Sequence, residues 1–318
     1  MRPALASLIL FALAPGGFAQ GPAEWEGEPL DHWVRQLADD DVRARWYAAY
    51  AVGQIGPGAA AAVEPLVTIL KNPREHEYVR GNAAWALGRI GPGAAAAVPL
   101  LVETLRSRHV SVRRNAPLAL GRMGPAAKDA VPRLRELLSD PDPTVVVNAA
   151  LALWRIEGDA RAVQGLAALS RQDRRDLAPY LAVGALGQIG MRSDEVLPAL
   201  VAALGHSDPD VGRAAARELG DVGPEAIPAL REALRTNDDE ARRGAVEALG
   251  RIGIDALPVL AEALKSDAAA TRRAAARALG RLGPDAQQAV PALVAALADR
   301  DPAVRETIGR ALGKIRGE

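Results

Sequence analysis

Val79-Arg80-Gly81-Asn82-Ala83-Ala84-Trp85-Ala86-Leu87-Gly88-Arg89-Ile90-Gly91 is the stretch that decides the fold. Its tripeptide Ala86-Leu87-Gly88 recurs, with variants, along the whole chain. The third residues of these tripeptides are Gly53, Gly88, Gly121, Trp154, Gly187, Gly220, Gly250, Gly280 and Gly313. The steps between them are 35, 33, 33, 33, 33, 30, 30 and 33 residues. A fixed period of this size marks a stacked-repeat protein.

One unit is legible from residues 98 to 125. Val98-Pro99 opens a first helix, with proline in the first turn where its missing N–H costs nothing. Leu100, Leu101 and Leu105 carry the apolar face, and Arg106-Ser107-Arg108-His109 makes a polar turn. A second helix is expected from about Val112, with Ala116, Ala119, Leu120 and Met123 at helical spacing. Gly124-Pro125 is expected to end it, glycine as a left-handed cap and proline to forbid continuation. From the opening proline to the next tripeptide glycine is 22 residues at Pro99, Pro198, Pro228, Pro258 and Pro291. From glycine to the next proline is 11 residues in long units and 8 after Gly220 and Gly250. The shortening therefore falls in the loop, where deletions are tolerated. Each hairpin must bury its apolar face on its neighbours. The expected fold is all-α, a right-handed α-solenoid superhelix of about nine stacked helical hairpins.

Composition narrows the function. Of 318 residues 49% are hydrophobic but only 3% aromatic, so Ala, Val, Leu and Ile must build the core. Charge balances at 39 Lys+Arg against 39 Asp+Glu, which argues against a general polyanion binder; no nucleic-acid partner is expected. The absence of cysteine excludes disulfides, thiolate zinc sites and a Cys nucleophile. At the amino end, Met1-Arg2 and the apolar run Ala4 to Ala14 lead to small residues at Gly17 and Ala19. This layout reads as a signal peptide over residues 1–19, hence an exported periplasmic or extracellular protein. Residues 20–29 read as a short linker, and residues 30–318 as the repeat array. No membrane span is expected.

The pattern Val-Arg-x-x-Ala-Ala-x-Ala-Leu-Gly-x-Ile-Gly, followed by Ala-Val-Pro-x-Leu, resembles HEAT-like repeats of the type found in phycobilin lyases. The resemblance covers roughly residues 30 to 318. It implies that the Val-Arg helix of each unit lines a concave face, with outward positions seven, six and three before the glycine slot and one after. The positions so implied include Trp46, Tyr47 and Tyr50 in the first repeat, and Asn82, Trp85 and Arg89 in the second. Asn115 and Arg122 follow in the third, Asn148 in the fourth and Tyr180 in the fifth. Five of the nine Trp and Tyr residues of the chain fall on these positions. Grouped aromatics mark interaction surfaces, because Trp and Tyr dominate hot spots. Asn82, Asn115 and Asn148 recur every 33 residues, a ladder suited to the backbone of an extended ligand.

Other features read as structural. At the same outward positions farther along stand Arg213, Arg217, Arg243, Arg251, Arg273, Arg277, Arg281, Arg310 and Lys314. This row reads as a solvated charged face, with the steering of an acidic partner as the alternative. His76 and His109 share a turn one repeat apart, without a third ligand, so no metal and no cofactor are expected. His76-Glu77 resembles one His-Glu dyad of the HEAT-repeat iron enzyme deoxyhypusine hydroxylase; that family needs several, and one does not imply the activity. Asp39-Asp40-Asp41 and Asp238-Asp239-Glu240 read as caps and solvated charge. The pattern breaks between residues 117 and 180: Pro117 stands inside a helix, Trp154 fills a glycine slot, and Gln164-Gly165 replaces the opening proline. A change of curvature is expected there. Two functions fit the sequence: a non-catalytic protein- or peptide-binding scaffold, or a bilin lyase-like protein acting on a tetrapyrrole-bearing protein.

Overall fold

The computed structural model describes residues 23–173 and 176–317. The expected signal peptide lies outside the described residues. Part of the expected linker does not: Glu24–Trp25 and Glu28–Pro29 pair as an antiparallel hairpin, β1 and β2. Glu26 and Gly27 make its turn with φ of 53° and 80°, the positive values that a two-residue hairpin turn requires.

The rest is helical and forms nine pairs among the described residues. They are α1 (Leu30–Gln36) with α2 (Val42–Ile55), α3 (Val63–Lys71) with α4 (Glu77–Ile90), and α5 (Val98–Thr104) with α6 (Val110–Met123). Then come α7 (Val131–Glu136) with α8 (Pro143–Glu157), α9 (Ala160–Ser170) with α10 (Ala178–Ile189), and α11 (Val196–Ala203) with α12 (Pro209–Val222). The last three are α13 (Ile227–Ala233) with α14 (Asp239–Ile252), α15 (Leu257–Ala263) with α16 (Ala269–Leu282), and α17 (Val290–Ala295) with α18 (Pro302–Arg316). This is an all-α solenoid architecture. The chain divides within α9 into two compact units, residues 1–165 and 166–318. The division falls inside the stretch where the repeat departs from its own pattern.

Within the first unit α2, α4, α6 and α8 pack side by side; within the second α10, α12, α14, α16 and α18 do the same. The glycine slot sets their spacing. A side chain at Gly88 would place its Cβ 2.5 Å from Ala119 Cα, one at Gly121 2.8 Å from Ala152 Cα, and one at Gly280 2.9 Å from Ala311 Cα. The glycine of one tripeptide thus seats the alanine of the next, and the backbones touch. Between the layers Leu66, Leu70, Leu87, Leu101, Leu105 and Leu120 are fully buried, each contributing about 1.5–3 kcal/mol of hydrophobic stabilisation.

The links differ from the sequence reading in one respect. Gly124 has φ 62° as expected, but ψ −139°, which is not the left-handed helix and is open only to glycine. The proline after it does not simply stop a helix. It starts a 3-10 turn, Gly124–Ala130, that leads directly into α7. Gly158 alone among the links of the first unit takes the left-handed helical conformation, φ 68°, ψ 33°, and no 3-10 turn follows it before α9. Pro117 sits inside α6, which runs through it. Residues Glu77–Thr104 are long and apolar enough to cross a membrane by length and composition. They form α4, a 3-10 turn bent at Ala94 and α5, not one straight helix.

In three repeats the arginine eight positions before the glycine slot, Arg45, Arg113 and Arg272, is a clamp. Arg113 donates to the Ser107 and Arg108 carbonyls of its own hairpin turn and pairs with Asp140 of the next repeat at 2.9 Å. Arg272 repeats this with the carbonyls of Ser266 and Asp267 and with Asp299 at 2.6 Å. Arg45 does so with Asp39, Asp40 and Glu75. Turn carbonyls that helix geometry leaves without partners are thereby satisfied. Asp41 and Asp238 cap α2 and α14, as expected of them.

Candidate functional site

The aromatic residues of the first unit form one cluster. On α2, Trp46 and Tyr50 are one helical turn apart, and on the neighbouring α4 so are Trp85 and Arg89. Trp46 and Tyr50 stack at 6.1 Å and 4°, and Tyr50 and Trp85 at 5.5 Å and 7°. The Arg89 guanidinium lies 5.8 Å over the Trp85 ring, a cation–π distance. The run is therefore three near-parallel rings continued by a cation, with Trp46 41% exposed. The β1–β2 hairpin buttresses it: Trp25 meets Tyr50 edge-on at 6.3 Å, and the Tyr47 hydroxyl donates to Glu26 at 2.8 Å. That bond raises the Tyr47 phenol above its ordinary value. Trp33 packs edge-on against Tyr47 and donates to the Glu28 carbonyl, tying α1 to the hairpin.

Glycine makes the stack possible. The six-membered ring of Trp85 occupies the space that a side chain at Gly53 would need, its Cε3 2.6 Å from the position of a Cβ. Arg89 Nε donates to the Gly53 carbonyl at 3.1 Å. Beyond it, Arg89, Arg122 and Arg155 stand one position after successive slots on α4, α6 and α8. Burial, and then the cations Arg89 and Arg155, push the Arg122 guanidinium down to about 10. Burial also lowers Arg155 and Arg89.

The asparagine ladder is not laid out for a ligand backbone. Asn82 Nδ2 donates to the Trp46 carbonyl at 3.1 Å and Asn148 Nδ2 to the Arg114 carbonyl at 2.8 Å, each on the preceding second helix. Asn148 is 2% exposed. Asn115 lies against Gly81, its Nδ2 3.4 Å from where a Cβ would stand. The 33-residue spacing that aligns these amides also sets each against its neighbour's backbone. Tyr180 belongs to the second unit, where its hydroxyl hydrogen-bonds with Arg217, so it is not part of the aromatic cluster.

The histidines serve local structure. His76 Nδ1 accepts from the Tyr78 N–H and caps α4, while His109 pairs with Glu77 at 3.1 Å. His206 is buried, accepts from Asp208 N–H through Nδ1 and bonds the Gln172 carbonyl through Nε2, which fixes the Nε2–H tautomer. Among the described residues no group of three or more His, Cys, Asp or Glu converges as a metal site.

Known proteins place this architecture. The family model for HEAT repeats matches residues 30–120, 98–178, 169–250, 223–280 and 257–318. The chain belongs to the HEAT-repeat family. No protein of curated function matches this HEAT array by sequence. Among solved structures it is similar to Kap95p, in a complex described as inducing the switch loops of RanGDP to adopt the GTP-bound conformation. The likeness has a TM-score of 0.55 and 16% identity, over 91% of this chain and 45% of that one. At that identity it shows the fold alone. Human deoxyhypusine hydroxylase, in complex with glycerol, aligns at 24% identity over 91% of this chain and 96% of its own, with a TM-score of 0.34. That score is too low to bear on activity.

Within the HEAT array, the basic row of the second unit splits in two. Arg213 pairs with Asp210, Arg243 with Glu240, Arg251 with Glu247 and Arg310 with Glu306, all within one helical turn; Arg217 pairs with its neighbour Glu218. Arg273, Arg277 and Arg281 on α16 and Lys314 on α18 have no ion pair among the described residues and line one groove. In sequence the row stands against Asp221, Glu247 and Glu306 and reads as one solvated face. The distinguishing signal was there, since Ala269–Leu282 contains four arginines and no acid.

Proposed function

We propose that this HEAT array is an exported, non-catalytic scaffold that binds a protein or peptide partner through the aromatic run Trp46, Tyr50 and Trp85. One observation carries the reading: three near-parallel rings from two adjacent helices are held by Arg89 and a dedicated hairpin, with Trp46 left 41% exposed. Rings already ordered by stacking lose little side-chain freedom on binding, which favours them as anchors. Tyr47, Asn82 and Arg89 frame the run, and Arg122 extends it with positive charge toward the rest of the first unit.

The test is affinity capture from the host's exported fraction with wild-type protein and the variant Trp46→Ala. Trp46 is the ring whose removal leaves the Tyr50–Trp85 stack in place. A partner held by the wild type and released by a folded Trp46→Ala protein supports the scaffold. Equal capture by both overturns the assignment of the surface. Incubation with a bilin distinguishes the lyase-like alternative: a new visible absorbance band on the purified protein, abolished in Trp46→Ala, turns the same surface into a tetrapyrrole site.

A further inference from the structure

In the second unit α16 and α18 enclose an open groove of about 570 Å³. One wall is the exposed row Arg273, Arg277 and Arg281, and the other carries Arg310 and Lys314. The floor is Ala276, Gly280 and Ala311, and a Cβ at Gly280 would stand 2.9 Å from Ala311 Cα. A floor of small side chains leaves room for an incoming backbone. The one carboxylate of the groove, Glu306, is tied to Arg310.

The unpaired row sets α16 apart from α12 and α14. The outward arginines of α12 and α14 are each neutralised by an acid at most one turn away. On α16 the acids are missing, and the remaining arginine, Arg272, is buried in its pair with Asp299. The chain as a whole carries no net charge, so this local excess is not a sample of a generally basic surface.

Spacing indicates what the groove accepts. Arg273, Arg277 and Arg281 follow one another at four-residue intervals, a rise of about 6 Å each along the helix. Alternate side chains of an extended peptide are about 6.6 Å apart. A strand running along α16 with carboxylates on every second residue therefore meets one arginine per carboxylate, and guanidinium–carboxylate geometry favours the pairing. A nucleic acid fits less well. Its binding is driven by a broad field over many phosphates, which a neutral chain with Glu306 in the groove does not provide.

We propose that the groove between α16 and α18 is a docking site for an acidic, extended segment of a partner protein, read by Arg273, Arg277, Arg281 and Lys314. The site lies in the second unit and does not depend on the aromatic run of the first.

A fluorescein-labelled peptide of alternating glutamate and alanine is the probe, followed by anisotropy against the full chain over a salt series. Arg273→Gln/Arg277→Gln is compared with Arg213→Gln/Arg243→Gln, which removes the same charge from arginines already paired. All proteins are first matched by circular dichroism and melting temperature. The groove variant is expected to bind about tenfold more weakly, the loss of two charge-assisted bonds at exposed positions, with the paired-arginine variant unchanged. Arg273→Lys/Arg277→Lys, which keeps the charge, is expected to retain binding. Equal weakening by both Gln variants, or no binding by the wild type, overturns the proposal. So does displacement of the probe by oligothymidylate at lower concentration than by unlabelled peptide, which assigns the groove to nucleic acid.

Discussion

The ring of Trp85 fills the space above Gly53, its Cε3 2.6 Å from where a side chain on that glycine would begin. The equivalent glycine one repeat on, Gly88, faces backbone instead, with Ala119 Cα at 2.5 Å. Gly93 faces only Ile90 Cγ2 at 3.5 Å. The same substitution should therefore have three outcomes. Gly53→Ala displaces Trp85 and loosens the Tyr50 stack, at about 1–2 kcal/mol of stability, while Gly88→Ala forces two helices apart and costs about 3 kcal/mol. Gly93→Ala stays within about 0.5 kcal/mol of wild type. Urea unfolding by circular dichroism ranks them, and a changed near-ultraviolet aromatic signal is expected for Gly53→Ala.

Arg272 and Asp299 are both nearly covered, at 6% and 8% side-chain exposure, whereas Arg243 is 57% exposed in its pair with Glu240. Arg272→Met should cost about 2–3 kcal/mol, because it strands Asp299 and two turn carbonyls. Arg243→Met should cost under about 0.5 kcal/mol, as screened surface pairs do. Chemical denaturation of the two variants checks the contrast; similar values would remove the clamp from the account of the fold.

The Arg272 clamp and the pair of Arg114 with Asp142 predict acid sensitivity. Arg272 holds the Asp299 carboxyl below its ordinary value, and Asp142, which burial pushes up, is pulled down further by Arg114. A folded-state value below the unfolded one gives stability that is complete above about pH 4, the unfolded carboxylate value, and is lost as pH falls through the depressed value. From these carboxylates the contribution to melting temperature should be constant from neutrality to about pH 5 and then decline. In Arg272→Gln/Asp299→Asn the decline should be shallower. An unchanged acid slope would show that the clamps do not contribute to it.

Glu218 stands in the alanine slot of its tripeptide, its carboxylate against Gly187. Burial raises its carboxyl above the ordinary value despite the neighbouring Arg217. The sign is opposite to that of Asp299: the charged form is penalised in the fold, and stability falls as pH rises from the unfolded value through the raised one. Glu218→Gln should be more stable than wild type at neutral pH. The advantage should vanish in acid, where Glu218 is protonated. Paired melts at neutral and acidic pH read the difference.

Pro117 lies mid-helix in α6, where it removes the N–H that the carbonyl four residues back would accept. In the preceding repeat the same place holds Ala84. Pro117→Ala should raise stability by about 1–3 kcal/mol, measured as an upward shift in the thermal midpoint. A loss instead would mean that the proline ring at position 117 is required by the packing of the first unit.

Much of this molecule could be read from its sequence because its determinants are local and repeated. Pro99 opens α5, the polar turn at Arg106 to His109 precedes α6, and Asp41 and Asp238 cap their helices, since each depends only on residues a turn away. The glycine slots, which seat the neighbouring helices, are located by period alone. The split between paired and unpaired arginines was within reach of the sequence too, because an ion partner one helical turn away is a sequence property, but the row reads as one solvated face until the pairs are seen.

What the sequence left undecided required a neighbour more than twenty residues distant. Asn82 and Asn148 recur in line with the expected ligand-facing positions, but only the stacked helix shows that Trp46 and Arg114 carbonyls already receive their amides. The residues taken as linker become a hairpin because Tyr47 and Tyr50 give Glu26 and Trp25 something to pack against. Trp85 lies flat against Gly53, and so continues the Trp46–Tyr50 stack, because the next repeat delivers it there. Period and polarity determined the HEAT array. Which side chains remain free to meet a partner was decided by tertiary packing, because hydrogen bonds and ring stacks between repeats use up donors and faces that sequence spacing alone presents as available.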